Sequence, residues 1–158
     1  MEPLEVLNRG FGGAQISHVI HHFEVIVKPY NPKAIVFFCG TNDLTALKTP
    51  EETVHDFKKF LSLVRNEFGN IKVYVIGIKP TLDRLYLDKE ERIFNSLVSS
   101  LASDDAYLEY INIWDPMLNQ DGSRMPELFI EDGLHMNEKG YEVWTKKVRE
   151  SLGKEFDL

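Results

Sequence analysis

Apolar residues recur along this chain with two different spacings, which predict alternating strands and helices. Short apolar runs typical of strands lie at residues 4–8, 34–39, 71–78 and 107–114. Apolar residues repeat every three or four positions, as on one helix face, over residues 14–28, 50–68, 88–101 and 138–152. Alternation of this kind indicates an α/β protein with a mostly parallel sheet and helices on both faces.

Polar residues at the predicted helix starts support these boundaries. Thr49 and Glu52 form the pattern of a capping box, in which each side chain bonds the other residue's backbone N–H. Asp88 and Glu91 have the same spacing and predict a second capping box. Asn137 is placed to cap the last helix.

Three polar or glycine-rich stretches follow the predicted strands. They are Gly10–Gly13 after the first strand, Gly40–Asp43 after the second and Asp132–His135 after the last. In open parallel sheets, ligands bind beyond the carboxyl ends of the strands. We therefore expect the three stretches to converge at one edge of the sheet.

The chemistry of these stretches suits acyl transfer. Asp132 can reach Nδ1 of His135 across one turn, which leaves Nε2 free to act as a base. Gly13 offers a backbone N–H and Asn42 a side-chain amide, the kinds of donor that stabilise an oxyanion. Each feature also has a purely structural reading: a capped turn for Asp132, a tight strand-to-helix turn for Gly13 and an Asx turn for Asn42.

The sequence blocks resemble those of the SGNH, or GDSL-type, esterases and lipases. The resemblance rests on Asn8–Gly13, Gly40–Asp43 and Asp132–His135, in that order, with an Asn-x-x-Gly-Tyr run after the last block. It covers the chain from about residue 4 to the end. Lys79-Pro80 and Arg84 resemble a weaker fourth block, to which we assign a structural role.

This resemblance implies a three-layer α/β/α, flavodoxin-like fold and a small-molecule ester as substrate. It implies oxyanion donors at Gly13 and Asn42, His135 as the base and Asp132 as the residue that orients it. It also implies that the enzyme needs no cofactor and no metal.

One block of the family, the Gly-Asp-Ser that follows the first, central strand and carries the nucleophile, is absent from this sequence. None of the eight serines lies in such a setting: Ser17, Ser62, Ser96, Ser99, Ser100, Ser103, Ser123 and Ser151. Met1 therefore resembles an internal methionine. We expect residues 1–158 to form one SGNH-like domain, truncated at its N-terminus and lacking that strand, and to be inactive as given.

Two other classes of function compete with the esterase. A catalytically dead binding domain would keep the pocket without the nucleophile. A receiver-type signalling domain would need an acidic cluster at the strand ends, which Asp43 alone does not supply.

Composition limits the partners and the compartment. The net charge of −7 argues against nucleic-acid binding, and no apolar run is long enough to span a bilayer. The single cysteine, Cys39, excludes an internal disulfide and suits a buried thiol. His18 and His22 have helical i, i+4 spacing, but no further ligand motif supports a metal site. A true start at Met1 would indicate the cytoplasm, whereas a longer N-terminus could carry a signal; the oligomeric state stays open.

Overall fold

The computed structural model of the protein describes residues 4–156, so the prediction about Met1 lies outside the described residues. Its sheet has three parallel strands in the order β1 (Ala34–Phe37), β2 (Lys72–Ile76) and β3 (Leu108–Ile111). Ala34 pairs with Lys72, and Ile76 pairs with Ile111. Because all strands run the same way, their carboxyl ends meet at one edge of the sheet.

Helices connect and follow these strands. In chain order they are α1 (Ile16–His21), α2 (Phe23–Ile26), α3 (Thr41–Thr45), α4 (Pro50–Phe68), α5 (Asp88–Ser103) and α6 (Glu138–Leu152). Short 3₁₀ turns lie at Lys28–Tyr30, Leu85–Leu87, Asp115–Met117 and Pro126–Leu128. Among the described residues, no helix combines the length and the apolar character that a membrane crossing requires.

Helices cover both faces of the sheet, as the sequence predicts. Val73 and Val75 of β2 point to one face, in a core shared with α1, α4 and α5. Tyr74 and Ile76 alternate to the other face and pack against α6. All four side chains are buried. This two-sided burial explains why β2 reads as a continuous apolar run.

The helix starts agree with the sequence at two positions and disagree at a third. Thr49 and Glu52 form the reciprocal capping box of α4, with bonds of 3.1 and 2.8 Å. Asn137 caps α6 by accepting the N–H of Gly140. The second capping box was a wrong prediction, because Asp88 is already the first residue of α5 and makes no cap bond. A 3₁₀ turn leads directly into that helix, which turns Glu91 inward.

Two strand predictions also need correction. Residues 4–8 form no strand; Val6 and Leu7 remain exposed, because no neighbouring strand among the described residues offers them a ladder. The run 34–39 is not central: β1 lies at an edge of the described sheet and ends at Phe37.

The helix predicted over residues 14–28 is broken. It divides at His22 into α1 and α2 and ends in the 3₁₀ turn that contains Pro29. Proline cannot donate a backbone hydrogen bond, and Asn31 then reverses the chain in the left-handed conformation. The short helix α3 was not predicted, since it contains too few residues for a periodic pattern.

Candidate active site

Asp132 and His135, together called the dyad, are hydrogen-bonded to each other. Oδ2 of Asp132 lies 2.6 Å from Nδ1 of His135, while Oδ1 accepts the backbone N–H groups of Leu134 and His135 at 2.8 Å each. The hydrogen bond to His135, followed by the two backbone bonds, lowers the pKa of Asp132 to about 2. The carboxylate is therefore ionised at neutral pH and favours the tautomer with the proton on Nδ1. No described residue bonds Nε2, and the His135 side chain is 69% exposed.

The turn that carries the dyad depends on Gly133. This residue has a positive φ of 63°, a conformation that side chains with a Cβ rarely adopt. A Cβ there would also lie 2.9 Å from Cβ of Leu82. The carbonyl of Gly133 accepts the N–H groups of Leu82 and Asp83 at 2.8 and 3.2 Å. The segment after β2 is thus tied directly to the dyad turn.

Asn137 and Gly140 connect the dyad turn to α6. The Asn137 amide donates to the carbonyls of Glu127 and Phe129 at 2.9 and 3.0 Å. Gly140 allows close contact, since a Cβ there would clash with the carbonyl oxygen of Leu128. The Asn-x-x-Gly pattern of the sequence thus anchors the segment before the dyad to the first turn of the helix after it.

Gly13 and Asn42, called the donor pair, lie beside each other although they are distant in the sequence. The Asn42 amide donates to the carbonyl of Ala14, the residue after Gly13, at 3.0 Å. This contact uses one of its two N–H groups. Gly13 has a positive φ of 70°, and its backbone N–H has no partner among the described residues. One backbone and one side-chain donor therefore remain available at this place.

Asp43 has a role at this site that sequence reasoning missed. Its fully buried carboxylate accepts the backbone N–H of Ile16 at 3.0 Å and pairs with Nζ of Lys48 at 2.7 Å. Lys48 also pairs with Asp56 of α4. These contacts hold the first turn of α1, next to Gly13, against the segment after β1. The sequence shows Asp43 next to Asn42, but it does not indicate this role, because the backbone N–H that Asp43 binds lies 27 residues away, at Ile16.

Cys39 belongs to the same region and is buried, as the sequence predicts. Its thiol donates to the carbonyl of Ala14 at 3.4 Å. Burial raises the pKa of Cys39 to about 12, so the sulfur stays a neutral thiol. Its contact with Ala14 packs the segment after β1 against the residue that follows Gly13.

The dyad and the donor pair lie at the same edge of the sheet without touching. The donor pair follows the end of β1, and the dyad turn is bonded to the segment that follows β2. Lys79, in the segment after β2, has its Nζ 5.6 Å from the ring of Phe38, which follows β1 directly, and its charge interacts with that of Asp132. Of the three stretches expected to converge, Gly10–Gly13 and Gly40–Asp43 are joined through the bond from Asn42 to Ala14, and the stretch Asp132–His135 is bonded to the segment after β2.

A doubly covered parallel sheet with an Asp–His pair at its carboxyl edge defines an α/β protein of the class whose ligands bind beyond the strand ends. The sequence profile of the GDSL-like Lipase/Acylhydrolase family matches residues 2–143. The chain belongs to this family.

One curated protein and several solved structures are similar to this chain, which covers only part of each. An N-acylneuraminate cytidylyltransferase from Escherichia coli O18:K1:H7 is 27% identical over 154 residues, which are 95% of this chain and 36% of the relative. This chain thus spans about a third of that relative. A solved structure from Streptococcus pneumonia, described as a platelet activating factor, is 21% identical with a TM-score of 0.84, over 96% of this chain and 74% of the other. An acetyl esterase structure is 18% identical with a TM-score of 0.78, over 92% and 69%. Both structures share the fold.

Proposed function

We propose that this chain supplies the base, the orienting acid and the oxyanion donors of a serine-type ester hydrolase. The observation that carries the proposal is the hydrogen bond between Asp132 and His135, in a member of an acylhydrolase family, at the edge of the sheet that also holds the donor pair. Membership of the family supports an ester as substrate. The roles of the individual residues are our inference from their contacts.

In this mechanism, Nε2 of His135 takes the proton of a serine hydroxyl as that oxygen attacks the ester carbonyl. Asp132 stabilises the imidazolium that forms. The N–H of Gly13 and the free N–H of Asn42 bind the negative oxygen of the tetrahedral intermediate, where one such donor typically contributes about 2.7–4 kcal/mol. His135 then gives the proton to the departing alcohol, and the acyl group stays on the serine. Water attacks this acyl-serine with His135 again as the base, the bond to the serine breaks, and His135 returns the proton to the serine oxygen as the acid leaves.

The serine itself is proposed to come from residues other than those of this sequence. Both solved relatives contain residues beyond the part that matches this chain, so homologous folds have room for such a segment. Residues 1–158 alone should then show little turnover. The competing proposal is a binding domain that keeps the site without catalysis.

For the substrate we propose a short acyl ester of an N-acylneuraminate. The curated relative is named for that sugar, and one solved relative is named an acetyl esterase. An O-acetylated N-acetylneuraminate is therefore the first natural ester to assay, beside an aryl acetate as a general substrate.

A comparison of two chains tests the proposal. The first is residues 1–158, and the second is the same chain with a Gly-Asp-Ser segment added before it. We expect only the longer chain to hydrolyse an aryl acetate and to be labelled by a fluorophosphonate. In a nucleophile-His-Asp site without its nucleophile, only about 10³–10⁴-fold acceleration over water remains. His135→Ala in the longer chain should abolish the gain, and exposed His55→Ala on α4 is the control.

Each other outcome has a definite meaning. Fast turnover by residues 1–158 alone would contradict the external nucleophile, and Ser17→Ala would show whether Ser17 had taken that role. A folded longer chain that binds the acetylated sugar but neither hydrolyses it nor reacts with the fluorophosphonate would favour the binding domain.

A further inference from the structure

The segment after β2 presents two basic side chains to the dyad turn. Lys79 and Arg84, called the basic pair, flank the residues that bond the carbonyl of Gly133. The sequence blocks suggest only a structural role for this segment. The bonds to Gly133 hold this segment against the dyad turn, and the charges of Arg84 and Asp132 both act on Lys79.

Neither member of the basic pair has an acceptor. Both side chains are half-buried, and neither forms a hydrogen bond or an ion pair with any described residue. Lys79 instead lies over two aromatic rings, with Nζ 5.6 Å from the centre of the Phe38 ring and 6.0 Å from that of Trp144. Such contacts attract a cation but leave its three N–H donors unsatisfied. A half-buried ammonium with a purely structural role would normally be paired with an acceptor.

The surrounding acids neutralise these two cations only in part. The charged groups that act on Lys79 are Arg84, Glu91 and Asp132. Asp132 is bonded to His135, and burial raises the pKa of Glu91 to about 8, so that this carboxyl is mostly protonated at neutral pH. Burial, and then the charge of Arg84, lower the pKa of Lys79 to about 8. Two positive charges, on Lys79 and Arg84, are thus opposed by one ionised carboxylate, Asp132, which already accepts a hydrogen bond from His135.

We propose that Lys79 and Arg84 bind a carboxylate group of the substrate, at a subsite next to His135 that is separate from the ester being cleaved. Lys79 donates to the carboxylate, Arg84 adds a second positive charge, and the rings of Phe38 and Trp144 form an apolar wall beside it. The substrate class is therefore an ester of an acidic molecule, such as an acidic sugar. This inference rests on the proposed function for its ester, but the binding of the carboxylate does not depend on turnover.

The pKa of Lys79 reports binding directly. Nuclear magnetic resonance of lysine labelled with ¹³C at Cε would follow its titration, with the signal assigned by its loss in Lys79→Met. The probes are N-acetylneuraminate and D-glucuronate, each compared with its uncharged methyl ester. We expect each acid to raise the pKa of Lys79 from about 8 towards 10.5, and the esters to leave it unchanged. The affinity for the acids should also fall as the pH rises above 8.

Variants separate a binding role from a packing role. Lys79→Met should weaken binding of the acids by about 10–100-fold, the range for a hydrogen bond to a charged group, and Lys79→Arg should retain most of it. Lys58→Met, at an exposed lysine of α4, removes the same charge elsewhere and should change nothing. The proposal is overturned if neither acid moves the pKa of Lys79, or if the acids and their methyl esters bind equally well.

This experiment also separates the inference from the proposed function. A folded chain that binds the acids through Lys79 but whose longer form never cleaves an ester would contradict the hydrolase alone. Ester cleavage in the longer form without discrimination between an acid and its methyl ester would contradict the carboxylate subsite alone.

Discussion

Glu91 is a carboxylic acid that the fold removes from water. Its side chain is fully buried in α5, and neither oxygen has a hydrogen-bond partner among the described residues. Desolvation raises its pKa to about 8, although Arg124, Arg84 and Lys79 oppose that shift. An uncharged Glu91 leaves the basic pair free to attract a negative group from outside the protein.

The raised pKa predicts a dependence of stability on pH. Below about pH 4.5 both the folded and the unfolded chain hold the Glu91 proton. Between 4.5 and about 8 only the folded chain holds it, so the free energy of unfolding falls as the pH rises, and above 8 the loss is complete. Glu91→Gln removes this ionisation. The free energy of unfolding should therefore fall less between pH 5 and pH 8 in the variant than in the wild type, by about a few kcal/mol.

Urea unfolding at the two pH values measures this difference. Glu51→Gln, at an exposed glutamate in the first turn of α4, is the matched control and should follow the wild type. Parallel curves for the wild type and Glu91→Gln would mean that Glu91 is ionised in the folded protein, contrary to our expectation.

At the scale of elements, α5 holds the end of β2 in place through one side chain. Asn95 accepts the backbone N–H of Ile78 at 2.8 Å and donates to its carbonyl at 2.9 Å. Ile78 follows β2 and precedes Lys79, so this contact also fixes where the basic pair begins. The amide acts as a substitute for a neighbouring strand where the ladder has ended.

Asn95→Ala should therefore be strongly destabilising. It leaves a backbone donor and a backbone acceptor buried without partners, at a cost of about 1–3 kcal/mol for each group. We expect a loss of about 2–5 kcal/mol in the free energy of unfolding, measured with urea. Ser96→Ala changes an exposed neighbour on the same helix and should cost less than about 0.5 kcal/mol. A loss for Asn95→Ala as small as that of the control would show that water can replace the amide.

For the whole molecule, the position of β2 between the other two strands predicts the order of local opening. Residues 73–75 pair with neighbours on both sides, residue 76 pairs with β3, and all four are buried. Residues 5–12 are exposed, and Gly10 alone among them donates a backbone bond, to the Asn8 side chain.

Amide hydrogen exchange tests this order. The amides of residues 73–76 should exchange most slowly, with an opening free energy close to that of global unfolding, and those of residues 5–12 should exchange fastest. The outward amides of β1, which face no described strand, should exchange quickly. Slow exchange along all of β1 would show that another segment covers this edge in solution.

The parts of the site that the sequence predicts are those made by local contacts. Asp132 bonds a histidine three residues away, and Asn137 caps a helix that begins at the next residue, so spacing alone indicates both contacts. The capping box of α4 is local in the same sense. Apolar runs that alternate with helical patterns likewise predict the doubly covered parallel sheet, because strands buried on both faces have continuous apolar sequences.

Only the tertiary structure determined the features that depend on packing between segments distant in the sequence. Residues 4–8 have the pattern of a strand, but a strand forms only where a partner supplies the other half of its hydrogen bonds. Glu91 has the spacing of a cap, yet the way α5 begins turns it into the core. The role of Asp43 and the unpaired state of Lys79 depend on contacts 27 or more residues apart, which no local pattern encodes. The sequence shows that a residue is charged but not whether its side chain is paired, because pairing depends on how the folded chain packs.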